Sequence, residues 1–186
     1  GNHFIHAAKR NPDITVIIHD NQVYGLTTGQ ASPTAKQGFK TKSTPDGVFD
    51  EPVNPLTLAL VSGATYVARG FAGDMPGLTQ LIADAISHKG FSVLDVLQPC
   101  VTFDKVHTYQ WYRQRLYRLS DEGYEPGDRL MAITKALEWE DRIPTGIFYK
   151  EEKATSESRE PALLGDALAS LPLAVANVQE LLEEFM

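Results

Sequence analysis

The chain has 186 residues, 42% hydrophobic and 22% charged, enough for one well-filled core or for one domain with a tail. Its net charge of −7 excludes the basic surface that non-specific nucleic-acid or anionic-membrane binding needs. No apolar run approaches the about 18 residues that span a bilayer, and the single cysteine excludes an internal disulfide framework. A lone cysteine without a secretory leader fits a reducing, cytoplasmic setting. A chain that begins at Gly1 without an initiator methionine reads most simply as a piece of something longer.

Residues 1–10 read as a helix with apolar Phe4, Ile5, Ala7 and Ala8. Asn11-Pro12-Asp13 ends it, because proline disfavours helix in the residue before it. Ile14-Thr15-Val16-Ile17-Ile18 is a β-branched run that stops at Asp20-Asn21. That is how a buried parallel strand delivers polar groups to the carboxyl edge of a sheet, where ligands of open α/β sheets bind. If the chain turns there, the side-chain oxygen of Asn21 and the carbonyl of Val23 can face one hard cation. Mg²⁺ takes such oxygens together with water and phosphate. The same dipeptide also serves as an ordinary turn. Gly25 and Gly29 let the backbone approach a phosphate closely.

Residues 30–55 are expected to be irregular, and a loop of about 25 residues in a compact domain is usually functional. Its lysines, Lys36, Lys40 and Lys42, suit a polyanion such as coenzyme A or a phosphate, and equally suit solvent. Asn54-Pro55 starts a helix filled by Leu56, Leu58, Ala59, Leu60 and Val61 and closed by Gly63. A strand at 66–70 follows. Asp74 then caps a helix over about 76–88 that buries Leu78, Leu81, Ile82, Ala85 and Ile86. Gly90 stops that helix, and 91–97 is the next strand. This alternation predicts a parallel sheet with right-handed crossovers.

Pro99-Cys100 ends the 91–97 strand at the same carboxyl edge. Without context a lone cysteine is most often a small buried hydrophobe. Residues 108–119 form an aromatic and basic helix. The acidity of the chain favours docking against the main domain or a partner over stacking on single-stranded nucleic acid. A helix at 128–140, a final strand at 143–150, a charged linker at 151–161 and an amphipathic tail at 173–186 complete the chain. His3 and His6 are three apart and can share a helix face, but packing explains His6 better than a metal pair does.

Two motifs carry a family resemblance. Asp20-Asn21-Gln22-Val23-Tyr24-Gly25-Leu26-Thr27, followed by Gly29-Gln30-Ala31-Ser32-Pro33-Thr34, closely resembles the diphosphate-binding segment of thiamine-diphosphate enzymes. The form is that of the β subunits of 2-oxoacid:ferredoxin oxidoreductases. Gln98-Pro99-Cys100-Val101-Thr102-Phe103 matches the same subunits. The resemblance runs from residue 1 to about residue 150. One departure is Thr28, where the family commonly carries a lysine implicated in substrate or coenzyme A handling. The loss of that charge weakens any inference about the oxoacid or about coenzyme A as acceptor.

The resemblance implies an α/β thiamine-diphosphate-binding fold, a mainly parallel sheet flanked by helices, with a C-terminal helical extension. Residues 1–103 would be the C-terminal part of the cofactor domain and 104–186 the extension. It implies oxidative decarboxylation of a 2-oxoacid to acyl-CoA, with electrons passing through a [4Fe–4S] cluster to ferredoxin. Asn21 and Val23 would hold Mg²⁺, with His3, Gly25, Leu26 and Thr27 beside thiamine diphosphate. Cys100 would be the remote cluster ligand. The first Mg²⁺-binding aspartate and the other three cluster ligands would come from upstream sequence. The activating glutamate would come from the partner α subunit, so no general base is assigned here. Two alternatives remain open from the residues: a thiamine-diphosphate decarboxylase without iron–sulfur, and a non-catalytic doubly wound interaction domain.

Overall fold

The computed structural model describes residues 1–161 together with Ser170, Leu182 and Glu183. Apart from the last two, the expected amphipathic tail at 173–186 lies outside the described residues. Helix α1 (Asn2–Arg10) ends at Asn11, which enters the left-handed region with φ 56° and returns its N–H to Ala7. Strand β1 (Ile14–Asp20) follows. A small antiparallel pair, β2 (Val23–Tyr24) and β3 (Gln30–Ala31), opens the long loop. The loop is otherwise irregular as expected, and Gly38 N–H to Val48 O at 2.8 Å helps to fold its middle back on itself.

Helix α2 (Pro55–Ser62) starts where predicted. Asn54 Oδ1 accepts from Thr57 N–H, and Gly63 takes φ 101° at the other end. Strand β4 (Tyr66–Phe71), helix α3 (Met75–Ser87, capped by Asp74) and strand β5 (Phe91–Leu97) form the expected unit. Then come α4 (Tyr109–Arg113), β6 (Leu116–Arg118), α5 (Arg129–Ala136) and β7 (Ile143–Lys150).

The five-stranded sheet has the order β1-β5-β4-β7-β6. β1, β5 and β4 run parallel, β7 is antiparallel to β4, and β6 is parallel to β7. One face packs Val67, Val93 and Phe148 against Ala8 of α1, Leu56 and Leu60 of α2, and Ala132 and Ala136 of α5. The other face packs Tyr66, Ala68 and Leu94 against Leu78 and Ala85 of α3.

Several expectations need correction. β1 is not fully buried: among the described residues it is a sheet edge, and Ile14 and Ile17 are 49% and 38% exposed. The predicted helix at 108–119 ends after five residues. From Leu116 the backbone instead pairs with Ile143–Thr145, and that ladder outcompetes a further helical turn. Tyr112 is nevertheless buried against Phe71, Leu97 and Ile143, so this segment does dock on the main sheet. Ile86 and Val61 face outward. Ile86 lies about 100° around the helix from buried Ala85, beyond the stripe that meets the sheet. The helix expected over 128–140 closes at Ala136.

Candidate functional site

The site is built where β1 and β5 end together. Asp20 lies opposite Leu97 in the parallel ladder, and Gln98 N–H continues the pairing onto Asp20 O at 2.9 Å. The two segments picked out by their motifs, 20–30 and 98–103, therefore leave the sheet side by side at its carboxyl edge.

On the first segment, Asn21 Oδ1 accepts from Val23 N–H at 3.1 Å, an Asx turn. Gln22 O accepts from Ser32 N–H at 3.1 Å. Antiparallel ladders alternate, so Val23 turns its own N–H and C=O away from β3. The side-chain oxygen of Asn21, with its second lone pair free, and the main-chain face of Val23 thus share one side. These oxygens fit a hard cation that takes its remaining ligands elsewhere. Among the described residues there is no cluster of three or more His, Cys, Asp or Glu that could hold a metal.

A Cβ placed on Gly25 would meet open space, which leaves room for a ligand against the backbone. Leu26 is 99% exposed at the tip. Thr27 Oγ1 donates to Gln30 Oε1 at 2.6 Å. Thr28 is exposed and has φ 76°, a strained value for a β-branched residue. His3 is exposed on α1 and has no hydrogen bond or ion pair to the 20–30 segment among the described residues.

Beneath this edge lies a buried charged cluster that reading the sequence missed. Arg69 of β4 and Asp95 of β5 are register partners, and Arg69 Nε donates to Asp95 Oδ2 at 2.9 Å with both side chains almost fully buried. The guanidinium carbon also lies 5.1 Å from the Trp139 ring centroid and 5.5 Å from that of Phe148. Asp20 completes the cluster. Its Oδ1 accepts from Thr34 Oγ1 at 2.5 Å and from Gln22 N–H at 3.2 Å, tying both ends of the loop segment to the strand end.

Burial, and then the charge of Asp95, push the Asp20 carboxyl up to about 6, against its hydrogen bonds and Arg69. Asp95 is also pushed up by burial, with Arg69 opposing. Arg69 Nη1, Asp95 Oδ1 and Gln22 Oε1 are buried without a hydrogen-bond partner. Asp20, Gln22, Thr34, Lys36, Arg69 and Trp139 line a cavity of ≈ 450 Å³. The signal in the sequence was a lone charge inside each apolar strand, Arg69 and Asp95, since such a charge survives burial only when paired.

On the second segment, Cys100 is half-buried and free. Its carbonyl accepts from Asp104 N–H at 3.0 Å, closing a turn. Asp104 is buried and accepts from Val106 N–H, His107 N–H and His107 Nδ1 at 2.8, 3.0 and 2.6 Å. Burial opposes its ionisation, but the hydrogen bonds from His107 and Val106 hold it below the usual carboxylate range. Of the loop lysines, Lys36 pairs with Glu140 at 2.6 Å, whereas Lys40 and Lys42 have no ion pair among the described residues.

Comparison with known proteins agrees with this architecture. Residues 1–96 match the family described as thiamine pyrophosphate enzyme, C-terminal TPP binding domain. Residues 100–163 match the family described as the C terminal of the pyruvate ferredoxin oxidoreductase beta subunit. The chain is 49% identical over 160 residues to the 2-oxoacid:ferredoxin oxidoreductase subunit beta of Saccharolobus solfataricus, an alignment covering 81% of this chain and 52% of that one. It is 46% identical over 104 residues to the 2-oxoglutarate oxidoreductase subunit KorB of Mycobacterium tuberculosis, covering 56% of this chain and 28% of that one. Among solved structures, the 2-oxoglutarate:ferredoxin oxidoreductase from Magnetococcus marinus, with 2-oxoglutarate, coenzyme A and succinyl-CoA bound, superposes with a TM-score of 0.81 at 36% identity. That match covers 86% of this chain and 54% of the other. The chain spans about half the length of the curated relatives to which it aligns over four fifths or more of its own length. The 20–30 segment falls within the first matched region and Cys100–Phe103 within the second; the chain belongs to the thiamine pyrophosphate enzymes, and the named proteins it is similar to are 2-oxoacid:ferredoxin oxidoreductase β subunits.

Proposed function

We propose that this chain is the cofactor-binding portion of a β subunit whose complex oxidatively decarboxylates a 2-oxoacid to acyl-CoA and reduces ferredoxin. The supporting observation is the register match of Asp20 with Leu97, from which the 20–30 and 98–103 segments emerge next to one another. Thiamine diphosphate would supply the carbanion-stabilising chemistry that no side chain offers. In this reading Asn21 Oδ1 and Val23 O hold Mg²⁺, while Gly25, Leu26 and Thr27 wall the diphosphate, with His3 nearby. Asp20 keeps the segment in shape through Thr34 and Gln22. Cys100 contributes one thiolate to a [4Fe–4S] cluster whose other ligands lie in sequence outside this chain. An α subunit, ferredoxin, coenzyme A and a 2-oxoacid are the partners. The solved relative carries coenzyme A and 2-oxoglutarate, which makes these the first ligands to try here. Among the described residues no helix is long and apolar enough to cross a membrane.

The test is calorimetry with thiamine diphosphate and Mg²⁺ on the full-length subunit in its complex. Asn21→Ala removes the side-chain oxygen, and affinity is expected to fall about 10-fold, equivalent to about 1.4 kcal/mol. Asn21→Asp, which keeps an oxygen, is expected to lose less. Unchanged affinity in Asn21→Ala removes Asn21 from the site.

A further inference from the structure

Gly29 is where two segments assigned to different cofactors touch. Its φ is +103°, and a Cβ added there would fall 2.8 Å from Phe103 Cδ1 and 2.9 Å from Phe103 Cγ. The Phe103 ring therefore sits directly on the Gly29 backbone, in space that any side chain at 29 would fill. Gly29 N–H in turn donates to Tyr24 O at 2.9 Å, so the contact lands on the end of the β2–β3 hairpin that presents Gly25, Leu26 and Thr27.

The turn that carries Phe103 is stiff. Asp104 N–H closes it onto Cys100 O, and the Asp104 carboxylate gathers two backbone N–H groups and the His107 ring. A second point of contact lies further along, where the His107 ring is 6.3 Å from Phe39 and 4.8 Å, edge-on, from Trp111. Phe103 itself remains 36% exposed, so it is not a member of any core cluster that would explain its place.

We propose that Phe103 is a positioning residue whose ring, seated on Gly29, locks the Cys100 turn to the 20–30 segment, so that disturbing the turn weakens cofactor binding at Asn21–Thr27. The proposal rests on the function proposed above. Truncating the ring frees the hairpin end to move, and part of the ordering of the loop must then come from the ligand's own binding. Coupling between distinct sites begins at about 5-fold in affinity, and an effect of that size is expected here.

The experiment uses the full-length subunit in its complex, with thiamine diphosphate and Mg²⁺ titrated by calorimetry. Phe103→Ala is expected to bind about 5-fold more weakly, although Phe103 lies outside the 21–27 segment. Phe103→Tyr keeps the ring and is expected to restore wild-type affinity. Val101→Ala alters an exposed residue of the same turn and is expected to change nothing. Gly29→Ala is expected to weaken binding, and adding Phe103→Ala to it is expected to cost less than Phe103→Ala alone, because the clash has gone. If Phe103→Ala does not fold, Phe103→Leu carries the same comparison. Wild-type affinity in Phe103→Ala, or an equal loss in Val101→Ala, overturns the positioning role while leaving the proposed function standing. Failure of the wild-type complex to bind thiamine diphosphate overturns both.

Discussion

β5 and β1 are neighbours in one register, Phe91 opposite Ile14 and Leu97 opposite Asp20, and both are rich in apolar residues. All seven residues of β5 are buried, whereas in β1 only Asp20 is. The more β-branched sequence lies at the edge, and its one charged terminal residue is the best covered. Burial along β5 comes from having strands on both sides and helices on both faces. Burial of Asp20 comes from the loop, which folds back through Thr34 and Gln22. Two neighbouring strands thus reach the same carboxyl edge for different reasons, one as core and one as the anchor of a loop.

The largest test of this contrast is at the centre of the sheet. Arg69→Leu leaves Asp95 buried and unpaired, and is expected to lower unfolding free energy by about 3–5 kcal/mol in urea titration. The double variant Arg69→Leu/Asp95→Leu is expected to recover most of that. If it does not, the two charges are not coupled and the cluster needs another account.

A smaller test compares the strands directly. Leu94→Ala in β5 is expected to cost about 2–5 kcal/mol, because the cavity it leaves cannot collapse. Ile17→Ala in β1 is expected to cost less than about 1 kcal/mol, since Ile17 is 38% exposed. Equal costs would break the comparison.

The next test is pH. The folded-state Asp20 carboxyl sits at about 6, above its ordinary 3.8, so the folded chain binds this proton more tightly than the unfolded one. Its contribution to stability is therefore full at low pH and declines as pH rises between those two values. Above about 6 the buried charge costs on the order of 1–3 kcal/mol in the metal-free protein. Asp20→Asn keeps an oxygen for Thr34 and Gln22 but cannot ionise. Its stability relative to wild type is expected to rise between pH of about 4 and about 6 and to level off above that, measured by chemical denaturation. Parallel pH profiles for the two proteins would show that Asp20 does not carry this burden.

The smallest effect is expected at Cys100. Cys100→Ser is expected to change stability by less than about 0.5 kcal/mol, because the thiol is half-buried in a turn rather than in the core. In the full-length complex the same variant is expected to lower the iron count and to alter the visible spectrum. A normal count would leave Cys100 as packing only and would favour a decarboxylase without iron–sulfur.

Much of this molecule was legible because the rules involved are local. Asn54 and Asp74 cap their helices through side-chain oxygens a few residues away, and Gly63 closes α2 with a positive φ, whereas Asp128, read as part of its helix, is in fact its cap. The 20–30 segment and the Cys100 turn were legible as motifs at compatible spacing. The helix drawn through 108–119 failed because β7, more than 20 residues later, offers Leu116–Arg118 a ladder. Ile86 and Val61 were misassigned because an apolar residue beside a stripe looks the same as one within it.

By itself, then, the sequence determined the alternation of strands and helices through residue 97, the helix starts at Asn54 and Asp74, and the family, and it proposed Asn21 and Val23 as Mg²⁺ oxygens. Only the tertiary structure decided that β1 lies at the edge, that Arg69 meets Asp95, that Asp20 is buried under Thr34, and that Phe103 rests on Gly29. Caps and turns are satisfied by atoms within a few residues and so can be read along the chain. Burial and charge pairing depend on partners such as Arg69 and Asp95, 26 residues apart, and these meet only once the sheet has chosen its strand order.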